Sequence, residues 1–280
     1  MAQAQIVLTP TESKKLIAHA VLKLPEVRLS LEEGILALHP SSSTCFIFEE
    51  LTGCRPEGLW VCGVIAPSGL TGSREAEEMI RARGGGKDSR DPRKVSRQTW
   101  VFKRGVLQQA APLGEILDGM GENDVYVKGV NAVDAQGNAG VLFANPAGGG
   151  GTIGRVLSAR RNKNFNIILP AGYEKLIPGS VKEACHAAGR TAELAMGLPC
   201  GLYPVDGKII NETDAISLLY GVKSCVIAAG GLGGAEGAVV LALQGEQEHI
   251  TAAFAGIGGV KGAKLPELQV SRATRWDEVV

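Results

Sequence analysis

Short apolar runs that alternate with amphipathic, capped segments constrain this chain more than any other feature, because such alternation separates a βα-repeating protein from an all-helical or all-β one. Residues 35–38 follow Gly34 as a short strand, and residues 45–51 read as a helix ended by Gly53. Upstream, Thr9-Pro10-Thr11-Glu12 forms a capped start for a helix over about 13–24, with Leu16, Ile17, Ala20 and Val21 on one face. Further strands are predicted at 59–65, closed by the turn Pro67-Ser68-Gly69, and at 99–103, 125–127, 140–144 and 165–169. Helices are predicted at 75–83, 113–120 and 153–162. The expected fold is α/β: a Rossmann-like, largely parallel sheet with helices on both faces, plus smaller C-terminal elements.

From about Thr191 the texture changes, with Pro199, Pro204 and Gly207 interrupting regular structure. A helix at 212–220, strands at 224–229 and 238–243 and a helix at 247–255 follow, the two strands separated by the glycine-rich turn 230–237. This divides the chain into a main α/β domain over 1–190, a smaller α/β unit or set of sheet-completing elements over 191–264, and a loosely held tail over 265–280.

Composition removes several function classes. Lys+Arg and Asp+Glu both total 29, so no global basic excess advertises nucleic acid or an acidic membrane. The loop at 84–97 carries Lys87, Arg90, Arg93, Lys94 and Arg97 without interleaved aromatics, which argues a solvated loop or an anion lid rather than a nucleic-acid surface. No apolar run approaches the roughly 18 residues that span a bilayer, and the start of the chain lacks a charged leader with an apolar core, so a cytoplasmic location is expected. Six scattered cysteines and four scattered histidines form no ligand spacing, so no metal site is expected, and no motif names a cofactor.

Two strand-to-helix loops have the composition of an anion site. Pro40-Ser41-Ser42-Ser43-Thr44 offers hydroxyls and backbone donors, which serve either as a helix cap or as a wrap for a phosphate oxygen. Gly148-Gly149-Gly150-Gly151 runs into Thr152 and a helix, leaving backbone N–H groups at the positive end of the helix dipole. Ligands of parallel α/β sheets bind beyond the carboxyl ends of strands, where both loops are expected.

The order of these pieces resembles the ribose-5-phosphate isomerase A family, within the wider superfamily of glucosamine-6-phosphate deaminases, that isomerase and the CoA transferases. The resemblance runs from Gly34 to Lys175 through Pro40-Ser41-Ser42-Ser43-Thr44, Lys128-Gly129-Val130-Asn131-Ala132-Val133-Asp134, the glycine run and Lys175-Leu176. It implies that Ser41, Ser42, Ser43, Thr44 and Lys175 bind a sugar phosphate. The family's acid/base carboxylates correspond to Lys128, Asn131 and Val156 here, so all three are missing and the isomerase reaction is not expected to survive. Asp134 survives in the matched segment, and Glu236, within Gly233-Gly234-Ala235-Glu236-Gly237, is the acid best placed for the acyl chemistry of the CoA-transferase branch. The lactate-utilisation proteins share the general fold and a similar Val-Asn-Ala-Val-Asp-like stretch.

The sequence therefore predicts a cleft that binds a small anionic metabolite, phosphorylated or CoA-bearing. Its ligand-binding residues are Ser41, Ser42, Ser43, Thr44, Lys128, Asn131, Gly148, Gly149, Gly150, Gly151, Thr152 and Lys175, with Asp134 and Glu236 as catalytic candidates. Two classes stay open: a divergent transferase or isomerase, and a non-catalytic metabolite-sensing or assembly subunit. The size and the resemblance are compatible with a homo-oligomer.

Overall fold

The computed structural model describes residues 1–56, 61–74, 99–108, 113–143, 151–188 and 192–271. In chain order the first half contributes β1 (Ala2–Leu8), α1 (Pro10–Val21), α2 (Pro25–Glu33), β2 (Ile35–Leu38), α3 (Ser42–Thr52), β3 (Cys62–Ala66), β4 (Gly69–Gly72), β5 (Trp100–Lys103), β6 (Val106–Leu107), α4 (Leu113–Gly119) and β7 (Val125–Val127). Next come β8 (Ala132–Val133), β9 (Ala139–Phe143), α5 (Gly151–Lys163), β10 (Asn166–Pro170), a 3-10 turn at Tyr173–Lys175, α6 (Val181–Ala187), β11 (Gly201–Val205) and β12 (Lys208–Ile210). The chain closes with α7 (Glu212–Tyr220), β13 (Lys223–Gly230), β14 (Ala238–Gly245) and α8 (Gln247–Gly258). The predicted helix at 75–83 and the basic loop at 84–97 lie outside the described residues, as do Gly148, Gly149 and Gly150.

The main sheet has the order β12-β10-β7-β2-β5-β6, in which β12, β10, β7 and β2 run parallel. β5 and β6 turn it into a mixed sheet, since each pairs antiparallel with its neighbour. Side chains alternate between two cores, as the twofold period of a strand requires. Leu36, Leu38, Val125, Val127 and Ile168 pack under α1, α2, α3 and α7, whereas Ala37, Tyr126, Ile167 and Leu169 pack under α4 and α5. Helices thus cover both faces.

Two predicted strands leave that sheet. The segment after Leu59 forms an antiparallel hairpin, β3 with β4, because Pro67-Ser68 reverses the chain at once. β9 likewise folds back on β8 through the turn Asp134 to Gly137, with Gly137 at φ 81°, and pairs with β11 on its other side. The β1-β14-β13 sheet is antiparallel throughout, and it joins residues 2–8 to residues 238–245. Elements after residue 191 therefore contribute to three sheets rather than one.

Local signals position α1 firmly. Thr9 and Glu12 form the reciprocal capping box, and the Glu12 carboxylate also accepts the backbone N–H of Gly262 at 2.8 Å and pairs with Lys261. Nor is the start of the tail loose: Ser271 N–H donates to Gly72 O at 2.9 Å and Arg74 N–H to Gln269 O at 2.8 Å, so 269–271 extends the β3–β4 hairpin. No helix among the described residues is long and apolar enough to cross a membrane.

Candidate functional site

The carboxyl ends of β2, β7, β10 and β12 lie side by side, and the chain leaves each of them through polar residues. After β2, His39 continues the parallel ladder by donating its N–H to Val127 O at 2.9 Å, and then Pro40 and Ser41 turn into α3. Ser41 is the N-cap: its Oγ accepts the Thr44 N–H at 3.2 Å, and Thr44 Oγ1 donates to His39 O at 2.6 Å. Two of the four hydroxyls thus serve the helix itself. Ser43 Oγ instead takes the ammonium of Lys175 at 3.5 Å.

After β7 comes Lys128, whose buried side chain lies close enough to His39 for its charge to act on the imidazole. Burial, with the Lys128 ammonium second, holds His39 well below the usual histidine range, so the ring is neutral. Its Nδ1 lies 3.1 Å from Tyr126 Oη, a phenol that burial pushes up. Gly129 allows the β2 and β7 loops to touch, since a Cβ there would fall 2.8 Å from Ser41 Oγ. Gly129, next to Lys128, is thereby held against the α3 cap.

After β10 and β12 the chain assembles four charges. Lys14, one turn into α1, pairs with Glu174 at 2.7 Å. Glu212, the first residue of α7, accepts the Tyr173 N–H at 3.0 and 3.1 Å and is buried. Burial pushes its carboxyl up to about 7, and Glu174 adds to the rise, while the Ser13 hydroxyl opposes it. Lys175 is held down to about 8 chiefly by burial, with Lys14 acting in the same direction and Glu174 and Glu212 against it. The two glutamates meet over Gly172, where a Cβ would collide with Glu174 Oε2 and stand 3.0 Å from Glu212 Oε1. The β13–β14 turn closes on the same place, because a Cβ on Gly237 would fall 3.2 Å from Pro10 Cγ and 3.9 Å from Glu174 Cβ.

The two catalytic candidates are occupied otherwise. Asp134 Oδ1 accepts the N–H groups of Gln136 at 3.0 Å and Asn138 at 2.8 Å, and Oδ2 accepts that of Val181 at 3.0 Å. Those bonds, the one from Val181 first, hold its carboxyl down to about 2. Glu236 is exposed on the β13–β14 turn, where its own N–H and those of Gly234 and Gly233 lower its pKa. A carboxylate so furnished with donors is a weak base. Asn131 spends its side chain as a bridge, donating to Gly63 O at 3.1 Å and accepting the Leu142 N–H at 3.0 Å. Val156 is fully buried in the core beneath α5, and Gly151 opens that helix at φ 60°, a conformation that glycine alone takes readily, with half-buried Thr152 next.

Contacts thus join Ser41 and Thr44 to His39 at the α3 cap, Lys128 to His39, and Lys175 to Ser43, whereas the carboxylates of Asp134 and Glu236 and the amide of Asn131 bond to backbone of their own turns and of other segments. Lys14, His39, Glu174 and Glu212 join the first group without any local sequence signal, since each reads as an ordinary helix-end or strand-end residue. A cavity of about 490 Å³ is lined by Val133, Asp134, Tyr173, Leu176, Asn211 and Asp214, among others. Its lining holds carboxylates and no basic side chain, so it suits an anion poorly. Among the described residues no group of three or more His, Cys, Asp or Glu could hold a metal ion. The chain matches no protein-family model, no curated protein and no solved structure.

Proposed function

We propose that this chain binds a small anionic metabolite, phosphorylated or CoA-bearing, at the carboxyl ends of β2, β7 and β10, on a Rossmann-like fold of the isomerase/CoA-transferase kind. The observation that carries this reading is Lys175 Nζ at 3.5 Å from Ser43 Oγ in the first turn of α3, with the buried Lys128 acting on His39 just ahead of that helix. Ammonium groups drawn from neighbouring strands around a helix start suit an oxyanion, because the helix dipole and the lysine charges act in the same direction. The parallel order β2-β7-β10-β12 supports it as well, since strand ends of this kind are where such ligands bind.

The same positions argue against the isomerase route, for Lys128, Asn131 and Val156 supply no carboxylate. A divergent transferase or isomerase is the catalytic form of the proposal. A non-catalytic metabolite sensor is the second form, and it is favoured by Asp134 and Glu236 being tied up by backbone donors. A cytoplasmic setting fits the free thiols of Cys45, Cys54, Cys185, Cys200 and Cys225.

Thermal unfolding with inorganic phosphate, sugar phosphates and CoA, each at millimolar concentration, tests the reading. A ligand that binds the native state raises the midpoint, and the rise should vanish in Lys128→Met and Lys175→Met. An unchanged midpoint with every phosphate-bearing compound would remove the anion site.

A further inference from the structure

Several sheet edges in this chain are blunted against strand addition, and the edge formed by β13 is not. β6 and β8 are two residues long and β12 three, β11 carries Pro204, and the Val7 carbonyl of β1 takes the Lys261 ammonium at 3.0 Å. β13 runs for eight residues, Lys223 to Gly230, with no proline and a single charge at its first position. It pairs with β14 on one side, and among the described residues no strand pairs with it on the other. The free N–H and C=O groups of such an edge are a template for one more strand. We propose that β13 pairs antiparallel with β13 of a second copy of this chain, about a two-fold axis at Ile227, so that the two β1-β14-β13 sheets become one continuous sheet.

Three features fit the edge to a copy of itself. Antiparallel pairing of identical strands is isologous, so it satisfies both open edges at once and closes as a dimer. β13 carries a bulge between Val226 and Ala228, where the added residue increases the local twist. A straight foreign strand meets that twist poorly, whereas a two-fold copy brings the same twist to the same place, and Ile227, 52% exposed, meets its counterpart there. Charge is the third feature. With Ile227 on the axis, Lys223 of each copy lies opposite Gly231 of the other, and Glu236 is folded back on that glycine, since a Cβ on Gly231 would fall 3.1 Å from Glu236 N. Lys223 and Glu236 are both exposed, and neither forms an ion pair among the described residues. The two-fold axis forms the Lys223 to Glu236 contact twice. This dimer does not depend on the anion site.

Sedimentation velocity of the whole chain from about 1 to 100 μM, the range in which small interfaces associate, should show monomer converting to dimer as concentration rises. Ile227→Lys sets two like charges at the axis, so it should stay monomeric over the same range while its thermal midpoint shows that it is folded. Lys223→Glu and Glu236→Lys should each raise the dissociation constant about five-fold or more, because two exposed ion pairs are lost. The double variant Lys223→Glu/Glu236→Lys should recover the wild-type value. Ile227→Cys, oxidised at dimer concentrations, should give a disulfide between positions 227 of two copies in peptide mass spectra, since residues paired across antiparallel strands have Cα atoms about 4.5–5.5 Å apart. A chain that remains monomeric at the top of the range overturns the proposal, and so does a dimer that Ile227→Lys leaves intact. Growth beyond the dimer would mean head-to-tail association, which also overturns it. A double variant no tighter than the single ones, with no cross-link at position 227, overturns the register.

Discussion

Asp134 and Val181 are joined by a hydrogen bond of 3.0 Å from the Val181 N–H to the Asp134 carboxylate, which ties the β8–β9 turn to the first turn of α6. The same carboxylate closes its own turn through Gln136 and Asn138, so it braces two backbone segments. Because its pKa is lowered from 3.8 to about 2 on folding, its contribution is fully present above pH 4 and is lost as pH falls toward 2. Asp134→Asn should therefore melt earlier than wild type at pH 7, with the gap closing between pH 4 and 2 in a thermal-unfolding series. Phosphate should still stabilise the variant. Unchanged stability with a lost phosphate shift would return Asp134 to the binding site.

The strands and helices that carry the proposed anion site were legible because each has a local cause. Thr9 with Glu12 caps α1, Gly53 ends α3 at φ 68°, and the apolar runs at β2, β7 and β10 are buried on both faces. Sheet membership was not legible for β3 and β9, although Pro67-Ser68 and the Asp134 to Gly137 turn both signal a hairpin; the expectation of a βα repeat outweighed them. The charge cluster was beyond reach for a different reason. Lys14 is separated from Glu174 and Glu212 by more than half of the chain, and the three meet only because α1, β10 and α7 stack at one end of the sheet, with glycine at 172 leaving room for two carboxylates. Spacing along a sequence carries no trace of such a meeting.

Gly172 is a second point where one atom decides. Its φ of −72° would accept any residue, so a substitution there is judged by contacts alone. Gly172→Ala would push a methyl into the Glu174 carboxylate and against Glu212, an overpacking that costs about 1–3 kcal/mol. Urea unfolding should show that loss. A variant as stable as wild type would mean that the two glutamates are free to part.

Glu212 gives a pH trend of the opposite sign to that of Asp134. Its carboxyl rises from 4.5 to about 7 on folding, so the folded state holds more protons than the unfolded one between those values, and stability falls as pH increases through that window. Glu212→Gln keeps an acceptor for the Tyr173 N–H and cannot ionise. Its unfolding free energy should be flatter than that of wild type from pH 4.5 to 7. Parallel curves for the two proteins would assign the trend to another group.

On the proposed reading, Lys175 should set the pH range over which the anion site binds. Only its protonated form attracts an oxyanion, and in the empty site it loses that proton at about pH 8, so affinity should be constant below pH 7 and fall above pH 8. Sulfate is the suitable ligand, because its charge does not change over this range. Calorimetric titration should give binding about ten-fold weaker at pH 9 than at pH 7 if one proton on Lys175 is required. Lys175→Arg stays charged throughout, so its sulfate affinity should be level across the same range. A wild-type affinity that holds to pH 9.5 would separate Lys175 from the bound anion, and an equal fall in Lys175→Arg would locate the titrating group elsewhere.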